Sequence, residues 1–118
     1  VDNREIDKLI AEKVMGWFSL TDANHMEWWA PTVEEFPIWL KSQRDFRPST
    51  DIKDAWLVVE LLQARYEFVE IHIEQGKTNV TISERFFNGY LKDRYQGYED
   101  STPMAICKAA LKAVGVEV

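Results

Sequence analysis

A single cysteine in 118 residues leaves no partner for an internal disulfide. The fold must then rest on its core, and a reducing cytoplasm is the expected setting. Only two histidines occur, His25 and His72, and neither has a second histidine or a cysteine at ligand spacing. A metal site needs three or four converging ligands, so none is expected. Five glycines lie scattered and never approach the spacing of a phosphate loop, and no cofactor is expected. No apolar run nears the roughly 20 residues that span a bilayer. Positive charge is in short supply, with 14 basic against 20 acidic residues and a net charge of −6. That balance argues against non-specific binding to nucleic acid or to an anionic membrane. The surface is still mixed in sign, so ordinary solubility explains the acidity better than mimicry of DNA. What the chain has in quantity is apolar and aromatic residues, 46% and 13% of the total, which places it among globular proteins. Its length suits one domain over residues 1–118.

Asp2 followed by Glu5 reads as the start of a helix, with Asp2 accepting an orphan amide hydrogen bond. Ile6, Leu9, Ile10, Val14 and Trp17 recur at three- and four-residue steps, and Gly16 is the expected stop. A second helix is predicted over 51–64, behind Ser49, Thr50 and Asp51 as candidate caps. Ile52, Ala55, Trp56, Val59 and Leu62 would form its buried face, while Lys53, Asp54, Glu60 and Gln63 face out. From Tyr66 the period changes to two. Val69, Ile71 and Ile73 alternate with Glu70, His72 and Glu74, and Val80 and Ile82 resume the pattern after a turn at Gln75-Gly76-Lys77-Thr78. This is an antiparallel hairpin, and Tyr90 to Tyr98 would return as a third strand after a turn at Asn88-Gly89. Thr102-Pro103 opens a last helix, with threonine as cap, and Gly115 ends it. Between them Lys108 and Lys112 are the only polar positions, so this helix is mostly buried. Apolar groups on both hairpin faces favour an α+β fold, with a small antiparallel sheet of about three strands covered by helices on both faces.

Residues 18–48 follow no clean helix or strand period. Thr32 with Glu35 matches a capping box, but Pro37 interrupts it, so a short helical turn or two is the most expected there. Four of the five tryptophans lie between Trp17 and Trp39. Trp28, Trp29, Phe36, Trp39 and Phe46 either fold back as a satellite core or stay partly exposed as a recognition surface. In the second reading Trp28, Trp29, Trp39 and Arg44 are the candidate binding residues, since tryptophan and arginine are favoured at interface hot spots.

The opening Arg4-Glu5-Ile6-Asp7-Lys8-Leu9-Ile10-Ala11-Glu12-Lys13-Val14-Met15-Gly16-Trp17 resembles the start of the phage ABA-sandwich domain proteins, small proteins of phages and prophages of Bacillus and its relatives. Pro48-Ser49-Thr50-Asp51-Ile52, with Ala55-Trp56 and Val59-Glu60, resembles them too, as does Ser101 to Ala113. Each block is a helix with its cap, so the shared residues are architectural. Residues 18–47 are longer and richer in tryptophan than the family pattern. The resemblance implies an α/β/α sandwich and a phage or prophage origin. It implies no activity and transfers no functional residue.

No catalytic constellation stands out. Cys107 falls in an alanine-rich packing face, where cysteine behaves as a small inert hydrophobe. Ser49-Thr50-Asp51 sits where a helix cap belongs. The expected function is therefore that of a non-enzymatic phage or prophage accessory protein that binds a protein, either a host factor or a second copy of itself. The alternative is a small-molecule binder that sequesters a nucleotide-like compound, with Arg44, Arg47, Arg85 or Arg94 on its phosphates.

Overall fold

The computed structural model describes residues 1–31, 40–85 and 91–118. The element order is α1 (Asn3–Leu9), which runs on as a π-helical turn over Ile10–Val14, then β1 (Phe18–Thr21), β2 (Glu27–Ala30) and β3 (Lys41–Ser42). Next come α2 (Ile52–Arg65), β4 (Phe68–Glu74), β5 (Lys77–Arg85), β6 (Leu91–Glu99) and α3 (Thr102–Ala113). The fold is α+β. It has two antiparallel three-stranded sheets, ordered β1-β2-β3 and β4-β5-β6.

The predicted helices form where their caps stand. Asp2 accepts the Glu5 amide at 2.8 Å, and the first helix ends at Gly16, whose φ is +72°. Of the three candidate caps before α2, Asp51 does the capping, accepting the Lys53 amide at 2.8 Å. The cap of α3 is Ser101 rather than Thr102. Ser101 Oγ accepts the Met104 amide, while Thr102 Oγ1 lies 2.8 Å from the hydroxyl of Thr78. That threonine pair satisfies a side chain on β5 that is only 1% exposed.

Two residues at positive φ, Gln75 (+52°) and Gly76 (+76°), close the β4–β5 hairpin. This is the backbone that a two-residue turn needs to match strand twist. Lys77 and Thr78, expected in the turn, already pair with Glu74 and Ile73. β6 pairs with β5, so the third strand lies at the edge, with β5 central. The turn expected at Asn88-Gly89 lies outside the described residues.

Register settles which strand residues share a face. Val69 and Ile71 stand opposite Ile82 and Val80, and these stand opposite Tyr95 and Gly97. That face meets α3 along its alanine-rich side, and Ala105, Ile106, Ala109, Ala110 and Leu111 are all buried. α1 and α2 join the same core through Ile6, Ile10, Val14, Ala55, Val58, Val59 and Leu62. On the other face Glu70, His72, Gln96 and Tyr98 are exposed, while Ser83 towards its far end is buried. Among the described residues, the helical cover expected on both faces is thus seen on one.

Two sequence expectations need correction here. The stretch 18–48, read as irregular with at most a helical turn or two, contains the second sheet. Its strands have only two to four residues, too few for alternation to register, and their pairing carries them: Phe18 opposite Ala30 through Thr21 opposite Glu27. The Thr32–Glu35 capping match and Pro37 lie outside the described residues. In α2 the helical period places Ile52 and Trp56 on the buried face, but they are 50% and 49% exposed, and Asp54, expected in solvent, is 3% exposed. Ala55, Val59 and Leu62 are buried as expected, but the helix carries apolar residues around more of its circumference than one neighbour covers, so periodicity alone misplaced the edge of the buried stripe.

Gly97 marks the tightest approach. A Cβ there would overlap the Ala105 carbonyl oxygen and stand 2.7 Å from the Ala109 amide nitrogen. Gly97→Ala should push α3 off the sheet and cost roughly 1–3 kcal/mol, the range for overpacking a tight core. Urea unfolding checks this, and an unchanged midpoint would show that helix and strand are not in backbone contact.

Candidate functional site

Residues 43–50 connect the second sheet to α2, and two carboxylates hold them in place. Asp54, buried on α2, accepts the Arg47 amide at 2.9 Å on Oδ2 and pairs with Lys41 of β3 through Oδ1. Lys41 also lies 5.8 Å from the centre of the Phe46 ring. Asp7, half-buried on α1, accepts the Ser49 amide at 2.8 Å, and the Ser49 hydroxyl donates to the Asn3 carbonyl at 3.4 Å. Burial pushes the Asp7 carboxyl above its ordinary pKa, the Asp54 charge adds to the rise, and the Ser49 hydrogen bonds and Arg47 oppose it. The segment is pinned to both helices, which drives Phe46 into the core, where it meets Trp17 at 4.8 Å between ring centres.

Between α1, β2 and this segment lies a cleft of about 640 Å3. Trp29 and Phe46 form its apolar floor. Arg4 and Lys8 line it from α1, and Arg44 and Arg47 from the segment opposite. Against these four cations stand the carboxylates of Asp7 and Glu27, leaving a local charge of +2 in a chain of net −6. The Arg47 Nε donates to the Arg44 carbonyl at 2.8 Å, which fixes the two arginines relative to one another.

The structure separates the sequence-predicted binding residues. Trp29 is 2% exposed and belongs to the core, with only an edge on the cleft, so it is not an exposed anchor. Trp28 is half-buried, and its indole N–H donates to Asp22 at 2.9 Å. Asp22 also accepts the Asn24 and Met26 amides, and these bonds hold its carboxyl below the usual range, the indole most strongly. Trp28 therefore locks the β1–β2 turn. Trp39 lies outside the described residues, as does Phe36. Arg44 is exposed at the cleft. Of the other arginines considered for phosphate, Arg47 joins Arg44, Arg94 is exposed on β6, and the Arg85 side chain is outside what is described.

The sequence reading missed the outer face of α2. Trp56 and Leu57, 49% and 39% exposed, lie there with Ile52 at the N-terminal end. Lys53 and Glu60, also exposed, flank them along the helix about two turns apart. A fifth tryptophan outside the tryptophan-rich stretch was the available signal, but helical spacing assigned it to the core. Cys107 is fully buried, and burial pushes its thiol well up, as does the charge of Asp7. Among the described residues no group of three or more His, Cys, Asp or Glu side chains could hold a metal ion. Nor is any described helix long and apolar enough to cross a membrane.

These features define a small α+β domain with a cation-lined cleft and an apolar helix face as its two distinctive surfaces. The model of the Phage ABA sandwich domain matches residues 8–111, most of the chain, and the protein belongs to that family. The match spans the middle block whole and most of the other two, leaving out Arg4 to Asp7 at the start and Lys112 and Ala113 at the end. No curated protein and no solved structure matches the chain.

Asp7 yields a prediction with a definite sign. A carboxyl whose pKa is raised by folding contributes its full stability below the unfolded value, ordinarily 3.8, and loses it as pH rises through the folded value. Asp7→Asn keeps an oxygen for the Ser49 amide and cannot ionise. The variant should therefore gain stability relative to the wild type as pH is raised from 4 to 7, measured by urea midpoints. A constant difference across that range would contradict the assignment.

Proposed function

We propose that the protein is a phage- or prophage-encoded accessory protein without catalytic activity, which acts in the cytoplasm of a bacterial host by protein–protein binding. The outer face of α2 is the contact surface. The observation that carries this reading is Trp56, a large aromatic left half in solvent on a regular helix beside Leu57 and Ile52. Aromatic anchors flanked by smaller apolar groups are where binding energy concentrates at interfaces.

The charges on this face favour a second copy of the chain as its occupant. In an antiparallel pairing of two α2 helices about a twofold axis between Trp56 and Leu57, Lys53 of one copy falls opposite Glu60 of the other. The same happens twice, because an isologous contact repeats every pair. Trp56 then packs on Leu57 across the axis, and Ile52 faces Leu61. Lys53 and Glu60 have no ion-pair partner within their own chain among the described residues.

Sedimentation velocity tests the pairing. The wild type should self-associate, and Trp56→Ala should shift it to monomer while the chain stays folded with an unchanged circular dichroism spectrum, its apparent stability falling as the dimer is lost. Lys53→Glu or Glu60→Lys alone sets like charges opposite one another and should weaken the dimer, whereas the double charge swap should restore it. A wild type that stays monomeric at high concentration, or a double swap no better than either single change, would overturn the second-copy reading.

A further inference from the structure

We infer that the cleft between α1, β2 and residues 43–50 binds a small phosphate monoester, with the phosphate held by the Arg4, Lys8, Arg44 and Arg47 cluster. The argument starts from charge. Four of the chain's 14 basic residues line one concavity of an acidic protein, and the two carboxylates there leave +2 in excess. A phosphate monoester carries about −2 at neutral pH, which that excess matches, while a single carboxylate leaves it unbalanced.

The cations are also placed at some cost. Arg4 and Lys8 stand four residues apart on α1, a spacing at which like charges destabilise a helix. Neither they nor the Arg44 guanidinium make a side-chain hydrogen bond or ion pair among the described residues, so their donors remain available. Arg44 and Arg47 are held together by the bond from Arg47 Nε to the Arg44 carbonyl, and the Arg47 amide is anchored on buried Asp54. This limits the motion of the segment that presents both guanidinium groups, the arrangement that favours bidentate recognition of phosphate oxygens.

Size and lining suit an organic ester. A cleft of about 640 Å3 falls within the roughly 300–1,000 Å3 of small-molecule sites. Its floor, the edges of Trp29 and Phe46, offers apolar contact to the organic part. Glu27 on the β2 side is a hydrogen-bond acceptor within reach of the same space, suited to hydroxyl groups of a sugar. A mononucleotide and a sugar phosphate share this chemistry, and the measurement separates them.

Isothermal titration of the 118-residue chain with adenosine monophosphate, ribose 5-phosphate and inorganic phosphate tests the inference. Binding should weaken with added salt. Arg44→Gln and Lys8→Gln should each weaken it about tenfold or more, the effect of losing one charge-assisted hydrogen bond. Glu27→Gln should tighten binding of inorganic phosphate by removing a repelling charge. Binding by the nucleotide above the sugar phosphate identifies a base-recognising site, and equal binding of the two identifies a sugar-phosphate site. No heat with any of the three at millimolar concentration, or variants that bind like the wild type, overturns the proposal. Trp56→Ala should leave the titration unchanged, so failure of the α2 interface and failure of this site are read separately.

Discussion

A carboxylate taken out of water must be met by donors, and Asp54 is met entirely from the segment that precedes its helix. An unpaired charge at such depth would cost several kcal/mol. Lys41 and the Arg47 amide supply the compensation, so the second sheet has to lie where β3 and residues 43–47 reach α2. The Asp7–Ser49 bond then fixes the far end of the same segment on α1. Once both ends are held, Phe46 and Pro48 have nowhere to go but inward, and the walls of the cleft follow.

The same anchoring explains how an acidic chain presents a basic concavity. Arg44 and Arg47 sit on a segment whose backbone is tied down by carboxylates, and they line the same cleft as the two cations of α1. The acids nearby do not cancel them: Asp54 is committed to Lys41, and Asp7 and Glu27 together offset only two of the four cations. Net charge, a property of the whole sequence, therefore says little about the sign of the field at one cleft.

Helices were the most legible part of the fold because each carries two independent signals, a cap and a period. Asp2, Asp51 and the Ser101–Pro103 region mark starts that the structure keeps, even where Ser101 and not Thr102 does the capping. The β4–β5 hairpin was legible for the same reason, since alternation and Gln75-Gly76 agree. Strands of two to four residues carry no such redundancy, and β1 to β3 exist because their backbones pair. Trp28, Trp29 and Trp56 show where side-chain character ceases to inform. The clustered pair is absorbed by Asp22 and by the core, whereas the isolated tryptophan stands in solvent.

By itself the sequence determined the family, the α+β class, the three helices and the alternating sheet. These rest on local propensity and on patterns that repeat within a dozen residues. Tertiary structure alone decided that Asp54 is buried and Trp56 exposed, that a second sheet forms, and that Arg4, Lys8, Arg44 and Arg47 share one cleft. Those outcomes depend on contacts between residues far apart in the chain, as Ser49 and Asp7 are. A burial preference read from one helix does not record which neighbour will cover it.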